Sequence, residues 1–346
     1  MDFSEETLLK LVERWLASVE LRDLRISNIP GGLSGARLWK VTCGEGSYCL
    51  RRWPTVHPTE QQLNELHSLI THVWKSGFAI VPLPEVTQDG QSLVHSAGYL
   101  WELANWLSGK NAEHLSTSQI DAALTALAQF HQAAASHAVL QSGPAPGLMK
   151  RRTILRQLRE GGLTQLEQAT RGYTEVPIRD VASSLLADLR LVLPTAIQLV
   201  EQASTTSYTL QWCLRDIHRG NLLFTENQVT GMVDFGAAGI DTVAGDIARL
   251  VGSIAGDDTQ IWQTCLATYK KNHALTQDEL GAIVAYDVGG LVASSANWLR
   301  WLFVEQREFA DPLTIQTRLA ELAKRLRSLA ARGGRSLLAA YQGVEL

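Results

Sequence analysis

Residues 214–236, LRDIHRGNLLFTENQVTGMVDFG, leave the chain few conformational options. Two apolar runs flank the turn chemistry of Glu226-Asn227-Gln228, which predicts a short β-hairpin entered at Asn221 and left at Asp234. The two ends of a hairpin are neighbours. Asp216 precedes the entrance by five residues, so a tight loop would gather two carboxylates and one carboxamide in a single polar pocket. Hard oxygen donors of this kind suit Mg²⁺, which is held by one or two such side chains together with substrate phosphates. Taken singly, Asp216 reads better as a helix cap and Asn221 as a turn residue; their order around one hairpin that leads into Asp234-Phe235-Gly236 favours the metal reading.

At 346 residues the chain is too long for one small core, and two lobes are expected. Hydrophobic residues at 45% and charged residues at 19% describe a folded globular chain. A net charge of -4 without a long basic run lacks the footprint of a nucleic-acid binder, so the expected partner is a small molecule. The start, MDFSEETLLKLVERWL, is acidic and amphipathic and reads as a helix, not a secretory leader. No apolar window approaches a bilayer span, so no membrane is expected and the cytoplasm is the expected compartment. Cys43, Cys49, Cys213 and Cys265 have no metal-ligand spacing and are expected to be free thiols.

Residues 24–53 alternate as strands do, with turn chemistry at Pro30-Gly31-Gly32 and Cys43-Gly44-Glu45-Gly46. In TEQQLNELHSLITHVWKSGF the apolar residues Leu63, Leu66, Leu69, Ile70 and Val73 recur at helical spacing, ending at Gly77. A further strand and hairpin lead to a compositional boundary near Asn105. Residues 115–204 read as almost wholly helical, broken by a Gly/Pro loop at 142–147 that is the expected linker. The hairpin at 221–234 is the only strand signal expected in the second half. The helix ALTALAQFHQAA carries His131, expected to be a packed core histidine, and KRRTILRQLR at 150–159 reads as a solvated face, with a subsidiary anion site as its alternative.

D-x-x-x-x-N followed by D-F-G is the pairing that protein kinases use for a catalytic base and two metal ligands. The run LRDIHRGNLLFTENQVTGMVDFGAAGIDTVAGDIARL resembles the aminoglycoside phosphotransferase and choline kinase-like family, small-molecule kinases with a protein-kinase-like fold. The resemblance covers most of the chain. It implies ATP and Mg²⁺ as cofactors, Asp216 as acceptor of the substrate hydroxyl's proton, Asn221 and Asp234 as metal ligands, His218 as a brace of the loop, and Asp246 as the buried aspartate that ties the loop down. Leu214-Arg215 stands where the family often has His-Gly, and arginine before the aspartate is protein-kinase-like. Only about a dozen residues separate Asp234 from Asp246, with no Ala-Pro-Glu element, so a protein substrate is not expected.

For the nucleotide, GGLSGA at 31–36, with Ser34 and Gly35, is a candidate phosphate loop whose alternative is a hairpin turn. Arg51 matches the family's phosphate-contacting lysine, with Glu65 as its expected ion-pair partner and Arg52 on the opposite face. YLWELANW resembles the hinge, where backbone groups near Glu102 and Ala104 would meet adenine. Trp298, Trp301 and Glu305 lie at spacings of three and four, so Trp301 and Glu305 are candidates for a cationic acceptor's seat, core packing being the alternative. The helix carrying them is expected either to run straight or to kink at Gly289-Gly290.

The expected fold is therefore α+β, a protein-kinase-like two-lobe fold with an antiparallel-sheet nucleotide lobe over 1–104 and a mostly helical lobe over 105–346. The expected reaction moves the γ-phosphoryl of MgATP to a hydroxyl of a small molecule of aminoglycoside, amino alcohol, homoserine or sugar type. A nucleotide-binding regulatory module without turnover is the alternative that Leu214 and Arg51 raise.

Overall fold

The computed structural model of the chain describes residues 3–16, 23–29, 35–44, 46–137, 141–172, 176–307 and 312–342. They form two compact units, Met1–His137 with Gly220–Ala238, and Ala138–Arg219 with Gly239–Leu346. This division by compactness does not follow the compositional boundary near Asn105, because a long helix and the hairpin belong with the sheet.

In the first unit, α1 (Glu5–Val12), β1 (Arg25–Ile29), β2 (Arg37–Cys43), β3 (Gly46–Arg52), α2 (Glu60–Lys75), β4 (Val94–Ser96), β5 (Tyr99–Asn105) and α3 (Thr117–Ala135) follow in order. The five strands form one antiparallel sheet in the order β1-β2-β3-β5-β4. Alternation sends Trp39, Val41 and Leu50 inward, onto Leu8, Leu11 and Val12 of α1, and Trp39 stacks on Trp101 at 5.5 Å. A capping box between Thr59 and Gln62 starts α2, whose stripe Leu63, Leu66, Leu69, Ile70 and Val73 is buried as its spacing predicts.

The second unit begins with β6 (Gln141–Gly143), α4 (Pro146–Gln157), α5 (Leu163–Arg171), α6 (Val176–Ser204) and β7 (Tyr208–Cys213). The expected linker at 142–147 is corrected here. Its first residues pair with β7, and Pro146 opens α4, where its fixed φ and missing N–H suit the first turn. Gly147 is buried, and a Cβ there would meet the Tyr286 ring at 2.9 Å, so the glycine marks a close approach. The chain then crosses into the first unit for β8 (Leu222–Thr225) and β9 (Gln228–Met232), the predicted hairpin.

It returns for β10 (Gly239–Asp241), α7 (Val243–Ala255), α8 (Thr259–Asn272), α9 (Gln277–Leu299) and α10 (Pro312–Gln342). Strands β6, β7 and β10 make a second small sheet, so the hairpin is not the only strand structure in this half. Helix α9 runs unbroken past Gly289-Gly290; a Cβ at Gly289 would meet Val200 of α6 at 2.6 Å, so small size and not a kink is what this position supplies. The Ile178–Ser204 stretch of α6 is long and apolar enough to cross a membrane by composition, contrary to expectation. Leu185, Leu189, Ala196 and Val200 are fully buried within the unit, which is the pattern of a core helix.

Candidate functional site

Glu102 is the centre of a buried polar cluster in the first unit. It stands opposite Arg51 in the β3–β5 register, and Arg51 Nε lies 3.5 Å from Glu102 Oε1, an ion pair too loose for a hydrogen bond. His67 Nε2 donates to Glu102 Oε2 at 2.7 Å, and Trp53 Nε1 donates to the same oxygen at 2.9 Å. The other ring nitrogen, His67 Nδ1, is 2.7 Å from Ser92 Oγ. The Arg51 guanidinium also lies over the Trp53 ring at 4.8 Å.

These contacts correct two expectations. Glu65 is not the partner of Arg51: it is exposed, accepts from Gln61 Nε2 at 2.9 Å, and lies off the buried stripe of α2. His67, spaced four from Leu63 and three from Ile70, is on that stripe and reaches the cluster instead. The main chain of Glu102 and Ala104 is not open to adenine either. Leu103 O accepts from Glu85 N at 2.7 Å and Asn105 N donates to Leu83 O at 3.1 Å, so alternation turns residues 102 and 104 toward β3, where Ala104 faces Cys49. Arg52 takes the opposite face as expected, with its guanidinium over the Tyr99 ring at 4.2 Å. Ser34 lies outside the described residues; Gly35 has φ of +76°, a conformation glycine adopts without strain.

Burial alone would raise the Glu102 carboxyl. The hydrogen bond from His67, the Arg51 charge and the Trp53 N–H overcome it and hold the group below the ordinary carboxylate range. A lowered folded-state pKa gives stability that is complete above the unfolded carboxyl value of about 4.3 and is lost as pH falls through the folded value. Glu102→Gln is therefore expected to cost about 1–3 kcal/mol near neutral pH. Its deficit against wild type narrows in acid, as urea unfolding across a pH series will measure.

The hairpin is placed by the segment that follows β5. Lys110 and Phe224 exchange main-chain hydrogen bonds at 3.0 and 2.8 Å, Thr230 Oγ1 donates to Ser108 O at 2.7 Å, and Asn111 Nδ2 donates to Gly220 O. Gly109, at φ +113°, permits this approach, since a Cβ there would meet Phe224 O at 2.9 Å. Asn221 is buried, and its carbonyl accepts from Val233 N at 2.9 Å, closing the hairpin below Asp234. Asp234 is exposed at φ +65°. The next residue, Phe235, is buried against Phe130 at 5.8 Å, and a Cβ on Gly236 would touch the Trp53 ring at 3.3 Å. The first unit thus brings Asn221 and Asp234 to one end of the hairpin.

In the second unit, fully buried Asp246 accepts from Leu214 N at 2.7 Å and Arg215 N at 2.6 Å. The clamp grips the main chain of residue 214 and does not use its side chain. Arg215 has φ of +65°, and the following Asp216 is exposed, with Oδ1 3.0 Å from Arg249 Nε. His218 is half-buried. Arg219 is fixed to Ser253 through its N–H at 2.9 Å and Nη1 at 2.7 Å. Sequence reasoning missed Arg249, for which the spacing of three from Asp246 on α7 was the available signal, and Asp241, whose buried carboxylate accepts from Tyr286 Oη at 2.5 Å, Thr242 N at 2.9 Å and Gly147 N at 3.1 Å.

The expected acceptor seat is filled from within. Trp298 is buried and meets Trp301 edge-on at 5.4 Å, as core packing predicts. Residues 300–304 form a π-turn, so Glu305 does not continue the face of α9. Arg307 covers the Trp301 ring at 4.7 Å, and Glu305 pairs with Arg300 at 3.2 Å and Arg307 at 2.7 Å.

A family model described as "Phosphotransferase enzyme family" matches residues 25–275. No curated protein matches the sequence. Among solved structures, the chain is similar to spectinomycin phosphotransferase APH(9)-Ia in complex with ADP and spectinomycin, with 14% identity and a TM-score of 0.71 over 95% of this chain and 99% of that one. An aminoglycoside phosphotransferase from Alicyclobacillus acidocaldarius matches at 18% identity and TM-score 0.65, over 94% of this chain and 95% of that one. A microcompartment-associated aminopropanol kinase matches at 15% identity and TM-score 0.63, over 95% and 98%. At these identities the likeness is one of fold: an antiparallel-sheet N-terminal lobe and a helical C-terminal part, as in protein-kinase-like small-molecule kinases.

Proposed function

The chain belongs to the phosphotransferase enzyme family, and on that premise we propose that it moves the γ-phosphoryl of MgATP to a hydroxyl of a small molecule. The observation that carries the reading is the Asp246 clamp, which fixes the main chain of Leu214 and Arg215 and so presents the exposed carboxylate of Asp216. Asp216 would accept the hydroxyl proton, with His218 bracing its loop. The amide oxygen of Asn221 and the carboxylate of Asp234 are hard donors that fit Mg²⁺, which supplies charge neutralisation on the phosphates. Arg51, oriented by Glu102, has unspent donors for a phosphate, and Gly35 stands at the end of the proposed phosphate loop.

The lobes over 1–104 and 105–346 are a division by task and belong to the same proposal, as does a cytoplasmic setting, which the ATP requirement favours. Catalysis in such a site is mostly positioning and electrostatic stabilisation. Asp234→Ala is expected to weaken ATP binding by about tenfold or more with Mg²⁺ present, the worth of one charge-assisted contact, and to leave metal-free ATP unaffected. Calorimetric titrations with and without the metal measure this; equal losses in both would remove Asp234 from the metal site.

A further inference from the structure

Resting on the phosphotransfer reading, we propose that the acceptor carries an anionic group, carboxylate or phosphate, and that Arg249 and Arg215 receive it beside the hydroxyl that is phosphorylated. Among the described residues, arginine donors outnumber their carboxylate acceptors around Asp216. Arg249 spends Nε on Asp216, and both side chains are open to solvent, at 37% and 52% exposure. Arg215 is 35% exposed, and among the described residues its carboxylate contact is Asp241 at 3.9 Å, beyond hydrogen-bond reach. Asp241 cannot answer it more fully, since its oxygens already accept from Tyr286, Thr242 and Gly147. Asp246 has likewise spent its oxygens on Leu214 N and Arg215 N.

Behind these residues Arg151 lies over the Tyr286 ring at 4.5 Å, and its buried Nε has no partner among the described residues. Burial lowers the Arg151 pKa; Tyr286 and Asp241 oppose the shift, and Arg249 and Arg215 add to it, which places these cations within one field. The stretch at 150–159 is thus not simply a solvated face. A guanidinium fork matches carboxylate and phosphate in pairs of parallel hydrogen bonds, which an ammonium or neutral acceptor cannot offer in return. The carboxylate that a cationic acceptor would have sought, Glu305, is already neutralised by Arg300 and Arg307.

The arrangement also couples recognition to reaction. An acceptor anion that takes up Arg249 releases Asp216 Oδ1. As the new P–O bond forms at the γ-phosphorus, the hydroxyl O–H bond breaks and its proton passes to Oδ1, while ADP leaves with the electron pair of the old P–O bond. A neutral or amine-bearing alcohol leaves Oδ1 on Arg249.

The test uses matched alcohols that differ in one end group: glycerate, glycerol 3-phosphate, glycerol and 3-amino-1,2-propanediol, and gluconate, glucose 6-phosphate, glucose and glucosamine. ADP release by the full chain is expected to favour the anionic members by about tenfold or more in kcat/KM. The carboxylate and phosphate arms distinguish the two sources of charge. Arg249→Gln should raise KM for the anionic acceptor by about ten- to a hundredfold and leave KM for ATP unchanged, with Arg249→Lys between. Preference for the amines, no discrimination, or an anion preference that survives Arg249→Gln with Arg215→Gln overturns the proposal and leaves phosphotransfer standing. If nothing in the panel turns over, the melting-temperature shift given by each anion alone decides: a shift lost in Arg249→Gln supports the site, and no shift overturns it. Absence of Asp234-dependent MgATP binding would instead overturn the phosphotransfer reading itself.

Discussion

Replacing Asp216 by alanine is expected to lower phosphoryl transfer by on the order of a hundred- to ten-thousandfold, the usual worth of a general base, with MgATP binding nearly unchanged. The side chain is exposed and pairs with Arg249 at 3.0 Å, and an exposed ion pair contributes little to stability, so the melting temperature should change little. The measurement pairs single-turnover rates with nucleotide titration. Wild-type turnover in the variant would exclude Asp216 as the base, and a parallel loss of nucleotide affinity would reassign it to the metal.

The second large effect is expected at Asp246. Its carboxylate is fully buried and accepts two main-chain N–H groups, so Asp246→Ala leaves both donors without their acceptor, at about 1–3 kcal/mol each. Asp246→Asn keeps one oxygen acceptor but turns an amide N–H₂ toward the other main-chain donor, so it should recover only part of the loss. Both variants should also lower kcat, because the main chain they release carries Asp216. Urea unfolding and kcat measured on the same samples test this, and a variant with wild-type values of both would show that the clamp does not hold the loop.

What the sequence made legible was local. The hairpin at 221–234 was readable because two apolar runs enclose a polar turn, and Arg51 and Arg52 separated onto opposite faces because strand side chains alternate. Pairing across the chain was not. The partner of Arg51 is Glu102, a cross-strand neighbour whose register depends on how β3 meets β5, whereas the helix offered Glu65 as a nearer candidate. His67 could have been suspected as a polar residue on an apolar stripe. Strand β7 was hidden by the long helix before it, which ends without proline or glycine. The Pro-Gly dipeptide at 146–147 has the composition of a loop but serves as a helix start pressed against Tyr286, a contact that only the fold supplies.

The docking of the hairpin on residues 108–111 has a consequence for how the chain is made. The first unit is discontinuous in sequence: its sheet and α3 are complete by His137, yet Gly220–Ala238 must still arrive. Until then the partners of Ser108 and Lys110 are missing, and the loop to be closed spans the whole of β6 to β7. Contacts at this sequence separation are slow to form because their loop entropy is lost before they reward it. During synthesis the sheet-bearing part of the first unit therefore emerges early but is completed only after Ala138–Arg219 has been made, and the segment that completes it is the one that brings Asn221 and Asp234. Order of assembly thus ties the last step in building this unit to the arrival of its candidate metal ligands.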